Sequence, residues 1–225
     1  LLSGSLPAPG VEVIPERLAD LRSVLKARDS GIINVPGENL VLMGHSLGAL
    51  TAFLASGAIP QSNLQAQCQK ALDDFSLTNL SELFQCQFID FSFPSQEKIP
   101  DLNLIIGINS FGSLLWSNSS KADIGVPVFL TGGTFDLITP AIKEQLGLIM
   151  ATQNDPISRV LLIEGASHFS PIRVKGQLNQ VKGNDVFQIG KEFLGVHPLS
   201  VQSLLATEII SFLSDFENKK IGPIF

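Results

Sequence analysis

No apolar run in this sequence approaches the roughly 18–20 residues that a bilayer-spanning helix needs. The longest candidate, residues 102–116, is interrupted by Asn103, Asn109 and Ser110, so no transmembrane segment is expected. Metal-ligand spacing is missing as well. The two cysteines, Cys68 and Cys86, are not a CxxC pair and the three histidines are scattered, which argues against a structural zinc or any other bound metal. Basic residues do not cluster either. Fifteen Lys and Arg are outnumbered by 21 Asp and Glu, for a net charge of −6, a balance that speaks against nucleic acid or an anionic membrane as the main partner. Residues 1–9 have neither an initiator Met nor the charged-then-apolar layout of an export signal. What is present is ample material for a core: 225 residues, 44% hydrophobic and 16% charged, exclude a disordered tail or a fibrous repeat and leave a soluble globular protein.

The order of local signals is that of an α/β chain. Residues 14–28 read as a helix, with Pro15 suited to the first turn and Leu18, Leu21 and Leu25 on one face. Residues 40–43 form a short apolar strand that runs into Gly44-His45-Ser46-Leu47-Gly48, after which Leu47, Leu50, Phe53 and Leu54 resume helical spacing as far as about Ala58. Residues 61–99 differ in character, being rich in Gln, Asn and Ser, and read as an insertion. Within it, residues 62–72 and 80–86 suggest a helical hairpin, the second helix capped by Asn79 with Glu82 three residues on. Such a hairpin would bring Cys68 opposite Cys86, so a disulfide and two free thiols both stay open at this stage. Further strands are expected at 102–108, 126–130 and 160–163, a helix at 142–150, a loop with a short helix over 171–198 and a terminal amphipathic helix over 199–216. Strands separated by helical or long connections pair in parallel.

The strongest chemical signal is the elbow. Gly44-x-Ser46-x-Gly48, with a strand before it and a helix after it, is the context in which a serine hydroxyl is lifted out of a sheet edge on a strained turn. It also sets the Leu47 backbone N–H at a helix N-terminus, where a developing oxyanion can be stabilised. A serine is a poor nucleophile alone and needs a base and an orienting acid. His168, in the loop just after the strand 160–163, is the candidate base. Asp136, in the turn after the strand 126–130, is the candidate acid, which would fix the His168 tautomer. His45 lies inside the elbow, where its position is expected to point it away from the nucleophile's partner, and His197 precedes Pro198 in a helix lead-in. Glu164 and Asp123 are weaker choices for the acid, the first being too close to its strand and the second preceding one.

Residues 44–48, 131–140 and 164–170 together resemble the α/β-hydrolase superfamily. Residues 45–52 with the cysteine-containing insertion, Gly-Gly-Thr-Phe-Asp-Leu-Ile-Thr-Pro at 132–140 and Gly-Ala-Ser-His-Phe at 165–169 are similar in order and character to the bacterial proteins described as predicted dienelactone hydrolases, related to platelet-activating-factor acetylhydrolase-like esterases. The likeness covers about residues 15–215. It implies a single α/β-hydrolase domain over 1–225 with a helical cap at about 61–99, and carboxylic-ester hydrolysis through an acyl-enzyme formed on Ser46, without a cofactor. Dienelactone hydrolases proper carry a Cys nucleophile, so the family name does not name the substrate here. The apolar cap residues Leu64, Leu72, Phe75, Leu80, Leu83 and Phe84 suggest a small ester with an apolar acyl or aryl group, and equally suit packing of the cap on the body.

The sequence departs from the superfamily at its front. Only residues 1–39 precede the nucleophile strand and they contain no His-Gly pair, whereas the resemblance implies several earlier strands and an oxyanion loop. The expectation is therefore a domain lacking its N-terminal strands, with an exposed edge on the nucleophile strand and no candidate for a second oxyanion donor. Two function classes follow: a serine esterase, or a catalytically silent hydrolase-like binding protein or inactive fragment. A Cys68–Cys86 disulfide would point to an exported or periplasmic location, and free thiols to the cytoplasm.

Overall fold

The structure is a computed structural model that describes residues 13–34, 37–61, 63–73, 80–91, 93, 98–116, 124–152, 155–172, 187–189, 192–194 and 196–221. Its chain order is α1 (Ile14–Asp29), β1 (Leu40–His45), α2 (Leu47–Ala55), α3 (Leu64–Asp73), α4 (Leu80–Cys86), β2 (Leu102–Ile108) and β3 (Val128–Gly133). A π-helical turn, Ile142–Leu146, then runs into α5 (Gly147–Ala151). β4 (Arg159–Ile163), a 3₁₀ turn at Ser170–Ile172, β5 (Phe187–Ile189), β6 (Glu192–Leu194) and α6 (Pro198–Ile221) complete it. β1 to β4 form a parallel sheet in the order β1-β2-β3-β4. The α/β class and parallel pairing expected from the sequence are therefore present.

Layering follows from the strand sequences. β2 and β3 are apolar on both faces because both are covered. One face, through Leu42, Leu102, Ile105, Val128 and Leu130, packs with Ile14 and Leu18 of α1 and Leu50 and Phe53 of α2. The other, through Leu104, Ile106 and Phe129, packs on Phe212 and Phe216 of α6. Phe129 and Phe212 have ring centroids 5.5 Å apart. Arg159 lies over both rings and pairs with Asp215 at 2.7 Å, so the sheet end of β4 is tied to the same helix.

Three elements differ from the sequence expectation. β3 begins at Val128, after Pro127, and continues to Gly133, because Pro127 has no N–H to give a ladder. The segment 142–150 opens as a π-helical turn rather than a plain helix. Within 171–198 the described residues add the end of a 3₁₀ turn and an antiparallel ribbon, β5 with β6, while the remainder of the segment, where the short helix was expected, lies largely outside the described residues. Strands of three residues fall below the length at which alternation can be read.

β1 is a terminal strand of the sheet, and its Met43 is 62% exposed. In the insertion, α3 and α4 are joined by a Cys68–Cys86 disulfide with Cα atoms 5.5 Å apart. No described helix is long and apolar enough to cross a membrane. The Asn79 cap and the Phe75 cap residue lie outside the described residues, as does Asp123.

Candidate active site

In a parallel sheet all strands end at one edge, and that edge gathers the candidate residues. Registers His45↔Ile108, Ile108↔Thr131 and Gly133↔Ile163 align the C-terminal ends of β1 to β4. The ladder continues past them: Ser46 N–H donates to Ile108 O at 2.9 Å, Asn109 N–H to Thr131 O at 2.7 Å, and Thr134 N–H to Ile163 O at 3.0 Å. Ser46, Asn109, Asp136 and His168 thus leave the sheet side by side.

The elbow is strained as its sequence requires. Ser46 has φ 54° and ψ −119° and lies between β1 and α2, a region that a non-glycine residue occupies at a cost of about 1–3 kcal/mol. A Cβ on Gly44 would overlap the Gly48 carbonyl, which is why that position is glycine; a Cβ on Gly48 would meet nothing within 4 Å. Steric need therefore accounts for the first glycine of the motif and not the second. Ser46 is half-buried. Leu47 is the first residue of α2, so its N–H belongs to the helix-end donors without an intrahelical acceptor.

Asp136 is 2% exposed and accepts five hydrogen bonds. Oδ1 receives the backbone N–H groups of Ile138 (2.9 Å) and Thr139 (2.7 Å). Oδ2 receives Asn109 Nδ2 (2.6 Å), Thr139 Oγ1 (2.7 Å) and His168 Nδ1 (2.8 Å). Burial by itself pushes this carboxyl's pKa up, but His168, followed by Thr139, outweighs it and leaves the pKa below the ordinary aspartate value. Because an ionised carboxylate only accepts, His168 Nδ1 must carry the proton in this bond, which leaves Nε2 as the basic nitrogen.

The loop that carries His168 is fixed from several sides. A Cβ on Gly133 would overlap the Ala166 carbonyl, so the acid and histidine loops pack backbone to backbone. Ser167 N–H donates to Ser170 Oγ at 2.9 Å, and Val196 N–H to Gly165 O at 3.1 Å. The His168 ring meets Phe169 edge-on at 5.1 Å between centroids.

His45 is not turned away, contrary to the sequence expectation. Its ring centroid lies 4.7 Å from that of His168, and its Nε2–H donates to the His168 carbonyl at 2.7 Å. The residue before a strained serine still belongs to β1, and its side chain reaches the neighbouring loop. Burial, with the nearby His168 ring, holds the His45 pKa below the usual histidine value despite that hydrogen bond. His197 accepts Leu199 N–H at 3.3 Å and so serves the start of α6. Glu164 is exposed. Ser46 and His168 are brought to one sheet edge, and among the described residues no hydrogen bond joins Ser46 Oγ to the His168 ring.

The cap departs more sharply from expectation. Leu64 is buried, but Leu72, Leu83 and Phe84 are exposed, and α4 turns Ser81, Glu82 and Gln85 inward. The target of Ser81 and Gln85 is Glu144, fully buried in the π-helical turn. It accepts Ser81 Oγ (2.5 Å), Gln85 Nε2 (2.9 Å), Ser113 Oγ (2.9 Å) and the backbone N–H groups of Gly112 (3.0 Å) and Ser113 (3.1 Å). Lys143 pairs with Glu82 at 2.8 Å, and Leu80 N–H donates to Leu137 O at 3.3 Å. Asn109, Thr139 and Glu144 were not singled out from sequence. A polar residue directly after a parallel strand was the available signal for Asn109; the partners of Glu144 are 31–63 positions away and leave no local trace. Among the described residues no cluster of His, Cys, Asp or Glu has metal-binding geometry. Comparison with protein-family models and with curated proteins found no match to this chain.

Proposed function

We propose that this protein is an α/β-hydrolase-like serine hydrolase that cleaves carboxylic esters. The observation that carries the reading is the Asp136–His168 bond of 2.8 Å at the same sheet edge as a serine with φ 54°. In the proposed reaction His168 Nε2 takes the Ser46 Oγ proton as Oγ adds to the ester carbonyl, and the Leu47 N–H faces the oxyanion. Collapse breaks the bond to the alkoxide, which receives the proton from Nε2, and leaves an acyl-enzyme. Water then adds with its proton passing to Nε2, Ser46 leaves and recovers that proton, and the acid is released. Asp136 keeps the imidazole in the Nδ1–H form and stabilises its cation.

Support for an apolar acyl or aryl group comes from the side chains flanking the pair: Phe169 is 48% exposed beside His168, and Leu137 beside Asp136 is also exposed. The cap gives less support, since α4 buries its polar face.

A second reading, a catalytically silent binding protein, is favoured by one observation: among the described residues no hydrogen bond joins Ser46 Oγ to His168. A groove of about 330 Å³ along β1, lined by Arg17, Asp20, Met43, Gly48 and Thr51 among others, would serve such a role. Hydrolysis of p-nitrophenyl acetate by the natural full-length protein separates the two. The ester reading expects Ser46→Ala to lose about 10⁶-fold in kcat, down to background. Equal rates for the two proteins would leave the binding reading.

A further inference from the structure

Asn109 occupies a conformation that its neighbours must impose. It follows β2 with φ 47° and is 1% exposed, a left-handed position that asparagine tolerates better than most residues. Its side-chain amide and its carbonyl both face the loops that carry the acid and the histidine. Its Nδ2 donates to Asp136 Oδ2 at 2.6 Å and to Ser167 O at 3.2 Å. Its carbonyl lies 3.1 Å from Thr139 Oγ1, whose single proton it shares with the closer Asp136 Oδ2, and its N–H donates to Thr131 O at 2.7 Å. One side chain thus joins the acid's carboxylate to the backbone immediately before His168.

Building on the esterase reading, we propose that Asn109 is a positioning residue: it clamps the Asp136 and His168 loops together and, by sharing Oδ2 with the His168 Nδ1–H, sets the pH below which the site stops working. Oδ2 receives three donors, at 2.6, 2.7 and 2.8 Å. The charge drawn to the amide of Asn109 is charge withheld from the imidazole. Removing the amide concentrates the carboxylate on His168 and favours the cationic ring, which cannot accept a proton from Ser46. Among the described residues the titratable groups facing His168 are Asp136 from the loop after β3 and His45 from the end of β1; the position after β2 contributes the uncharged Asn109.

The test uses two variants of the natural full-length protein, because each keeps the left-handed backbone differently. Asn109→Gly removes the amide without strain, and Asn109→Asp replaces the donor by a second carboxylate of the same shape. With p-nitrophenyl acetate, the acid limb of the kcat/KM profile moves to higher pH by about half a unit in Asn109→Gly and by about one unit or more in Asn109→Asp. The low-field proton resonance of His168 Nδ1, assigned by its loss in His168→Gln, moves downfield in Asn109→Gly as its bond to Asp136 shortens. If both variants melt lower while the acid limb and the resonance stay where they are, Asn109 is a packing residue only and the proposal is overturned. If the unsubstituted protein hydrolyses no ester but the resonance still moves, the esterase reading falls and the assignment of Asn109 stands.

Discussion

Asp136 and Glu144 are buried carboxylates in the single segment that links β3 to α5, and each accepts five hydrogen bonds. Their pKa values are nevertheless driven in opposite directions, Asp136 downward and Glu144 upward. Desolvation is the largest influence on both. What separates them is the fifth partner: an imidazole for Asp136, and for Glu144 only hydroxyls, an amide and backbone N–H groups. Neutral donors hold a carboxylate in place, but here only a neighbour able to become a cation keeps it readily charged. The same chemistry thus serves two regions differently. Around Asp136 it poises a histidine; around Glu144 it clasps the disulfide-tied pair α3 and α4 to the body of the domain.

The comparison breaks most visibly in activity. Asp136→Asn removes the group that fixes the His168 tautomer, and kcat/KM for p-nitrophenyl acetate should fall by about 10⁴-fold with the fold retained by circular dichroism. Glu144→Ala should act on the other quantity. Leaving Gln85, Gly112 and Ser113 donors unsatisfied in a buried site should lower stability by about 3 kcal/mol in urea unfolding, while kcat of the folded protein stays within a few-fold. A Glu144→Ala protein that is stable but inactive would show that the two regions are not separable. Next in size, replacing both Cys68 and Cys86 by Ser should cost about 3 kcal/mol or somewhat less for a sequence separation of 18 residues, again with little change in kcat.

The smallest effect is in pH dependence, and its sign differs between the carboxylates. Asp136, with its folded pKa lowered, contributes stability that is present above the ordinary aspartate range and lost as pH falls through the folded value. Glu144, with its folded pKa raised, contributes stability that is full below the ordinary glutamate range and is lost as pH rises through the folded value. Urea midpoints measured from acid to neutral pH should therefore decline less with rising pH in Glu144→Gln than in the unsubstituted protein. An identical slope in the two would mean that Glu144 ionises in the folded state as readily as in the unfolded one.

The unequal legibility of the two regions has a physical cause. Ser46, Asp136 and His168 could be read because each follows an apolar strand, and parallel strands bring their C-terminal ends to one edge. β1, β2 and β4 were readable as short apolar runs, and α1 from Pro15 and the spacing of its leucines. Glu144 was hidden because nothing within a helical turn of it signals burial, and because α4 presents Ser81, Glu82 and Gln85 inward where helical periodicity suggested Leu83 and Phe84 would go. The ribbon β5–β6 was hidden by the shortness of its strands. His45 was misjudged because its direction depends on a neighbouring loop and not on the elbow alone.

Treatment of the natural full-length protein with a fluorophosphonate, followed by peptide mapping, tests the central claim most directly, since the reagent bonds to a serine activated by a neighbouring base. The account predicts a single adduct on Ser46, formed much more slowly in His168→Ala and absent in Ser46→Ala. A folded protein that gains no adduct at Ser46 would contradict it.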